Sequence, residues 1–211
     1  MTSGDRTPPV YYPALLDLRG KNCVVVGGGA VAARKAASLA KAKAAVTVIS
    51  PTFCTALARM KSVRRVKRPF RASDLPGAAL VIAATDQPRV NERVATLAAR
   101  RGVLLNVVDQ PELCTFVVPS VLTRGPLTIA ISTAGEAPAL SKRVRQQLQE
   151  LFPAEYGRFA KALGKVRRKL RGAVIDAGKR QRTLTRLASE EGFRTFRRGG
   201  LRGLRKMAGL R

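Results

Sequence analysis

One segment limits what this chain can fold into more than any other: Cys23-Val24-Val25-Val26-Gly27-Gly28-Gly29-Ala30-Val31-Ala32. A β-branched run stops at three glycines and gives way at once to residues 30–44, rich in Ala, Lys and Leu and helical by propensity. The spacing is G-x-G-x-x-A. The first glycine of such a pattern makes a tight turn, the second lets backbone approach a pyrophosphate, and the small third residue lets helix and strand pack closely. The free N–H groups at the helix start then face the phosphate charge. The segment is thus expected to open a dinucleotide-binding unit, with Gly27, Gly28, Gly29, Ala30 and Val31 around the phosphates. The competing reading is a glycine-rich turn with no ligand.

The pattern downstream repeats strand and helix. Residues 45–49 (AVTVI) and 63–66 read as strands, and 78–84 (AALVIAA) as a strand buried on both faces. A helix is expected over 88–101 and another buried strand over 103–107. Such alternation implies a parallel sheet with right-handed crossovers. After Asp109-Gln110-Pro111 the grammar changes. Strand-like segments 116–122 and 127–131 flank Thr123-Arg124-Gly125-Pro126, a hairpin signal. Leu140, Val144, Leu148 and Leu151 then recur at helical spacing over 138–151, and a basic helix follows over 154–170. The last 35 residues carry weaker helical signals, and 196–211 read as a frayed tail. The expected class is α/β: a Rossmann-type parallel-sheet domain (1–113), a small α+β dimerisation segment of hairpin plus helix (114–152), and a basic helical C-terminal region (153–211).

Composition narrows the chemistry. There is no histidine, so a general base must be a carboxylate, Lys, Tyr, Cys or water. Cys23, Cys54 and Cys114 are odd in number and far apart, which argues against a zinc site or a disulfide framework, and no metal site is expected. The longest apolar stretch, 23–33, is interrupted by glycines, and Met1–Pro9 has no leader-like pattern, so a cytoplasmic protein with no membrane association is expected. The formal net charge is +27, of which residues 151–211 carry +14. That density points to an anionic partner, whether nucleic acid, membrane surface or a small polyanion.

Ligands of a doubly wound sheet bind at the carboxyl ends of its strands. Those ends hold the remaining candidates. Ser50, Pro51 and Thr52 follow the second strand, where an acidic residue for the ribose hydroxyls is usual; without one, NAD and NADP are not separated. Lys61, Arg64, Arg65, Lys67 and Arg68 could favour a 2′-phosphate or form a solvated charged face. Ala84 and Thr85 follow the 78–84 strand, where Thr85 and Asp86 could line the cleft or cap the next helix. Asn106 and Asp109 end the next strand; Asp109 could serve as a base beside the nicotinamide or cap a turn before Pro111.

Taken together, VVVGGGAVAARKAASL, VIAATDQPRVNERVA, NVVDQPELCTFVVPS, RGPLTIAIST and APALSKRVRQQLQ, in unbroken order over about residues 11–152, resemble the precorrin-2 dehydrogenase/sirohydrochlorin ferrochelatase family. A generic Rossmann dehydrogenase would share only the first. The resemblance implies NAD-dependent oxidation of precorrin-2 to sirohydrochlorin, with ferrous iron as a further substrate only where the chelatase activity is present. It implies nucleotide contacts at Ala30, Val31, Pro51 and Thr52 besides the glycines, Asp109 as the catalytic residue, and a homodimer interlocked through 114–152. The substrate it implies is a polyanionic tetrapyrrole, for whose carboxylates Arg124, Lys142, Arg143 and Arg145 are candidates together with Thr133. Thr133-Ala134 stand where the family commonly has a more polar or glycine-rich pair. The methyltransferase domain of trifunctional siroheme synthases has no counterpart here. A different class also accounts for the charge: an NAD-sensing regulatory protein that binds nucleic acid through a basic C-terminal arm. The arm has few aromatics and no helix-turn-helix pattern, so nucleic acid is not the expected partner.

Overall fold

The computed structural model describes residues 10–173 and 176–210. Met1–Pro9, read above for a leader, lie outside the described residues. The chain divides into two compact units, the first ending at Val118 and the second beginning at Pro119.

In the first unit five parallel strands form one sheet. They are β1 (Asn22–Val26), β2 (Ala45–Ser50), β3 (Arg64–Lys67), β4 (Leu80–Ala83) and β5 (Leu104–Val107), in the order β3-β2-β1-β4-β5. Helices α1 (Ala30–Lys41), α2 (Thr55–Arg59) and α3 (Pro88–Ala99) make the crossovers. The period-2 alternation of the strands splits the core into two layers. Val24, Val26, Val81 and Ala83 face Val94, Ala95 and Ala98 of α3. Cys23, Val25, Leu80 and Ile82 face Ala32, Ala33 and Ala36 of α1. Burial on both faces is why β1 and β4 read as unbroken apolar runs.

Boundaries moved where local chemistry intervened. The expected helix 30–44 ends at Lys41, because Lys43 turns to φ 65° and its carbonyl accepts from the Gly20 N–H. Residues 114–118 stay with the first unit: Thr115 N donates to Leu105 O at 2.9 Å, and Thr115 Oγ1 accepts from Leu105 N at 2.7 Å. The short helix α2 had no signal in the sequence reading.

The second unit begins with an antiparallel hairpin, β6 (Ser120–Arg124) and β7 (Leu127–Ile131). The expected strand 116–122 is corrected to start at Ser120. Pro119 cannot donate to a ladder, and Phe116 O is taken by the Asn106 amide at 3.1 Å. The turn is also tighter than expected, since Thr123 and Arg124 are still paired and only Gly125 and Pro126 make the bend. Helix α4 (Pro138–Leu151) has the expected bounds. Three helices follow: α5 (Glu155–Ala173), α6 (Ala177–Leu187) and α7 (Glu190–Met207).

The expected frayed tail is corrected by α7. Phe196 lies 5.4 Å from Phe159, and Leu204 is completely buried against the cluster of Phe159, Val166, Leu170 and Leu187. Gly200 breaks the helix with φ 56° and ψ −146°, which interrupts the apolar period and hides the helix from a periodicity argument. The positive charge of this region therefore sits on folded amphipathic helices.

Candidate functional site

The candidate site is the carboxyl edge of the first unit's sheet. Because the sheet is parallel, Gly27, Ser50, Ala84 and Val108 all leave it at one edge, and the strand order reverses between β1 and β4. That reversal is where ligands of such sheets bind.

The glycine turn is built by close backbone approaches. Gly27 has φ 129°, and a Cβ there would lie 2.2 Å from Ala84 O. A Cβ on Gly28 would lie 1.8 Å from Thr52 O and 2.7 Å from Ser50 Oγ, so the β2–α2 loop lies directly over it. Cys54 N donates to Gly28 O at 2.8 Å and fixes that overlap. Ser50, 8% exposed, closes β2 beneath it. Gly29 differs: a Cβ there would meet no protein atom within 4 Å. Nothing in the fold's own packing requires a glycine at 29, so the missing side chain leaves room for something else. Gly29 is also the N-cap of α1, a 12-residue helix with no acidic residue in its first turn and no side-chain cap. Its leading N–H groups are available to an anion. A dinucleotide pyrophosphate fits this cradle. Gly27, Gly28, Gly29, Ala30 and Val31 are the residues around it, with Pro51 and Thr52 exposed on the covering loop.

At the ends of β4 and β5 the side chains do structural work. Thr85 Oγ1 donates to Asn91 Oδ1 at 2.8 Å and accepts from Gln87 N at 3.1 Å, while Asn91 Nδ2 donates to Thr85 O at 3.1 Å. Thr85 thus ties the loop to α3 without capping it, since the N-cap is Gln87 and no side chain caps the helix. Asn106 is buried, and its amide donates to Phe116 O. Cys114 Sγ accepts from Val107 N at 3.1 Å, and burial pushes its thiol pKa up, which keeps it protonated and inert. These contacts hold the loop that carries Asp109.

Asp109 is exposed, two residues beyond β5, with φ 60°. A non-glycine residue there pays backbone strain of about 1–2 kcal/mol, less for Asp and Asn than for other residues. Neighbouring Val108 and Phe116 lie against the α1 side of the core. On α1, Lys35 lies near enough for the Asp109 charge to act on it. Lys35 is half-buried; desolvation and the neighbouring Arg34 lower its pKa, while Cys114 and, to a smaller extent, Asp109 oppose that shift. The helix that starts at the glycine turn therefore carries a cation toward the Asp109 loop. Sequence reading missed Lys35, although its signal was present: residue 35 lies one helical turn beyond Val31 in GGGAVAARK. Also missed was Gln110, whose buried Oε1 has no hydrogen-bond partner among the described residues.

Of the cationic cluster read as a possible 2′-phosphate site, Arg65 donates to Leu57 O at 2.7 Å. Arg68 pairs with Asp74 (2.8 Å), holding that carboxyl below its usual range. Both guanidinium groups are committed within the fold.

Arg124, Thr133, Lys142 and Arg143 belong to the second unit. Arg124 Nε donates to Phe152 O at 2.8 Å, closing the C-terminal end of α4. Thr133 Oγ1 accepts from Ala137 N at 3.1 Å and lies 3.3 Å from Ser141 Oγ, at the start of the same helix. Lys142 and Arg143 are exposed on α4 with no partner among the described residues.

Comparison with known proteins agrees with this geometry. Residues 14–120 match a family model described as NAD(P)-binding, and residues 124–151 match one described as sirohaem biosynthesis protein, central. The siroheme synthase of Thioalkalivibrio sulfidiphilus is 41% identical over 180 residues, which is 84% of this chain and 37% of that protein. That of Methylobacillus flagellatus is 46% identical over 151 residues, 70% of this chain and 32% of that protein. The chain thus spans about a third of the length of the curated relatives it matches. Among solved structures, SirC, a precorrin-2 dehydrogenase, superposes with a TM-score of 0.80 at 23% identity, covering 94% of this chain and 99% of SirC; at that identity the likeness shows the fold. The glycine turn and the sheet order agree with the first family match, and the chain belongs to the NAD(P)-binding family whose model covers residues 14–120.

Proposed function

We propose that this chain oxidises precorrin-2 to sirohydrochlorin with NAD, removing a hydride and a proton from the reduced macrocycle. One observation carries the reading: the open space at Gly29 and the Asp109 carboxylate lie at the same sheet edge, joined by α1 and its Lys35. Bound NAD supplies the hydride acceptor. The turn at 27–29 and the first N–H groups of α1 hold its phosphates, and Pro51 and Thr52 form the loop beside them.

Asp109 is the proton acceptor. It is exposed to an incoming substrate, and no histidine in the chain competes for the role. Lys35 acts as a positioning residue that holds a positive charge toward the carboxylate. Lys142 and Arg143, unpartnered on α4, are the cations we assign to substrate carboxylates. Arg124 and Thr133 contribute by fixing the two ends of that helix. We further propose a homodimer through the second unit, where Val121, Leu140 and Leu151 are exposed at 43%, 52% and 66%. No described helix is long and apolar enough to cross a membrane. Three free thiols suit a reducing, cytoplasmic setting. Ferrous iron enters as a second substrate if the chain also chelates.

The test is NADH formation from precorrin-2. Asn occupies positive φ as readily as Asp, so Asp109→Asn removes the base and keeps the backbone. We expect its rate to fall about 10²- to 10⁴-fold with NAD affinity unchanged. Unaltered turnover would remove Asp109 from the reaction. Iron insertion into sirohydrochlorin is assayed separately.

A further inference from the structure

The second unit holds a groove of about 630 Å³ between α5 and α6. Ala160, Leu163 and Leu184 form its apolar floor, and Arg167, Arg171 and Arg180 stand along it. Arg167 and Arg171 are one helical turn apart, so their like charges oppose folding. None of the three guanidinium groups has a hydrogen bond or ion pair among the described residues. No carboxylate among the described residues forms an ion pair with them. Glu155 faces Arg158 and Arg197, Glu190 pairs with Arg194, and Asp176 caps α6 by accepting from Lys179 N. Three uncompensated cations over an apolar floor leave the charge to be completed from outside.

We propose that this groove binds a small amphipathic polycarboxylate, an apolar ring body with acidic arms, through residues that include none of those assigned to the reaction. Guanidinium forks match carboxylates two N–H groups at a time. The volume falls in the range of small-molecule clefts, about 300–1,000 Å³. A single-stranded nucleic acid would want aromatic platforms for its bases. The groove has none, because Tyr156, Phe159, Phe193 and Phe196 pack on one another inside the unit. Against a duplex, the apolar floor would have no use. The class that combines a ring body with several carboxylates is the tetrapyrrole. That identification rests on the reaction proposed above; the groove's charge and floor do not. Such a site would hold substrate or product through the second unit's own residues.

The probe is uroporphyrin, an octacarboxylate tetrapyrrole, titrated by fluorescence into the full chain without NAD. Two variants are compared with the wild type: Arg167→Gln/Arg171→Gln/Arg180→Gln, which removes charge, and Ala160→Phe, which fills the floor and leaves the charge intact. We expect each to lose one bound uroporphyrin per chain or to hold it about tenfold more weakly. NADH formation at saturating precorrin-2 is expected to be unchanged in both. Wild-type stoichiometry and affinity in the triple Gln variant would overturn the proposal. So would weakening by the charge change alone with Ala160→Phe unaffected, because that is general attraction to a basic surface. A short DNA duplex that displaces uroporphyrin and binds more tightly would overturn it in favour of nucleic acid. If the wild type makes no NADH while the groove still binds uroporphyrin, the proposed reaction fails and the groove stands.

Discussion

The two units reach a folded core by different routes. The first stacks alternate strand residues on both faces of a sheet, so each helix layer closes its own cluster around β1 and β4. Among the described residues the second has a single cluster of six buried residues, with the aromatics Tyr156, Phe193 and Phe196 only partly covered around it. In the first unit small residues bring backbones together, and the resulting turn forms the candidate site. In the second, long side chains wrap one apolar seam and leave a surface dominated by Arg and Lys. The sheet unit can therefore afford a functional edge without touching its core, whereas the helical unit has little core to spare.

The sharpest way to break this comparison is Leu204→Ala. Leu204 is completely buried in the smaller cluster, so we expect a loss of about 2–5 kcal/mol. Hydrogen exchange should show that loss over α5–α7 while β1–β5 stay protected; uniform deprotection of both units would mean that they unfold together. Next comes Gly28→Ala. Its Cβ collides with the Thr52 carbonyl, and we expect about 1–3 kcal/mol of destabilisation together with loss of NAD binding, read by thermal melting and calorimetry.

A smaller effect is expected from Arg68→Ala. Arg68 and a backbone N–H hold the Asp74 carboxyl below its usual pKa. A carboxylate with a depressed folded pKa stabilises above its unfolded value, about 3.9, and loses that contribution as pH falls toward the folded value. The wild type should therefore outlast the variant at neutral pH by up to about 1 kcal/mol. The difference should shrink below about pH 4, as followed by acid titration of circular dichroism. Smallest in stability and most informative is Gly29→Ala. Its Cβ meets nothing, so melting should shift by less than the equivalent of about 0.5 kcal/mol, while NAD affinity falls. Equal NAD affinity would show that the ligand does not approach residue 29.

What could be read in advance followed from how local each signal was. The β1–turn–α1 segment and α4, opened by Pro138 and carried by leucines at helical spacing, needed only neighbours in sequence. The parallel sheet followed from alternation of strands and helices. α7 was misread because Gly200 shifts its apolar register and Arg and Gly dominate its composition. The roles of Thr85, Asn106, Arg124 and Thr133 depended on partners brought close only by the fold, such as Asn91, Phe116, Phe152 and Ala137. Arg124 shows why a cation is a poor guide by itself: a guanidinium serves a helix end as well as it serves a ligand. Lys35 needed the pairing of α1 with the loop after β5, which no short motif records.

The backbone at position 109 has one more implication. At φ 60° the fold would be content with Asn or Gly. Neither would disturb folding, and neither can take up a proton. With Asn or Gly there the chain would fold alike, and under the proposed function it would be inert. Acidity at this turn is thus a demand of that proposed function and not of the fold.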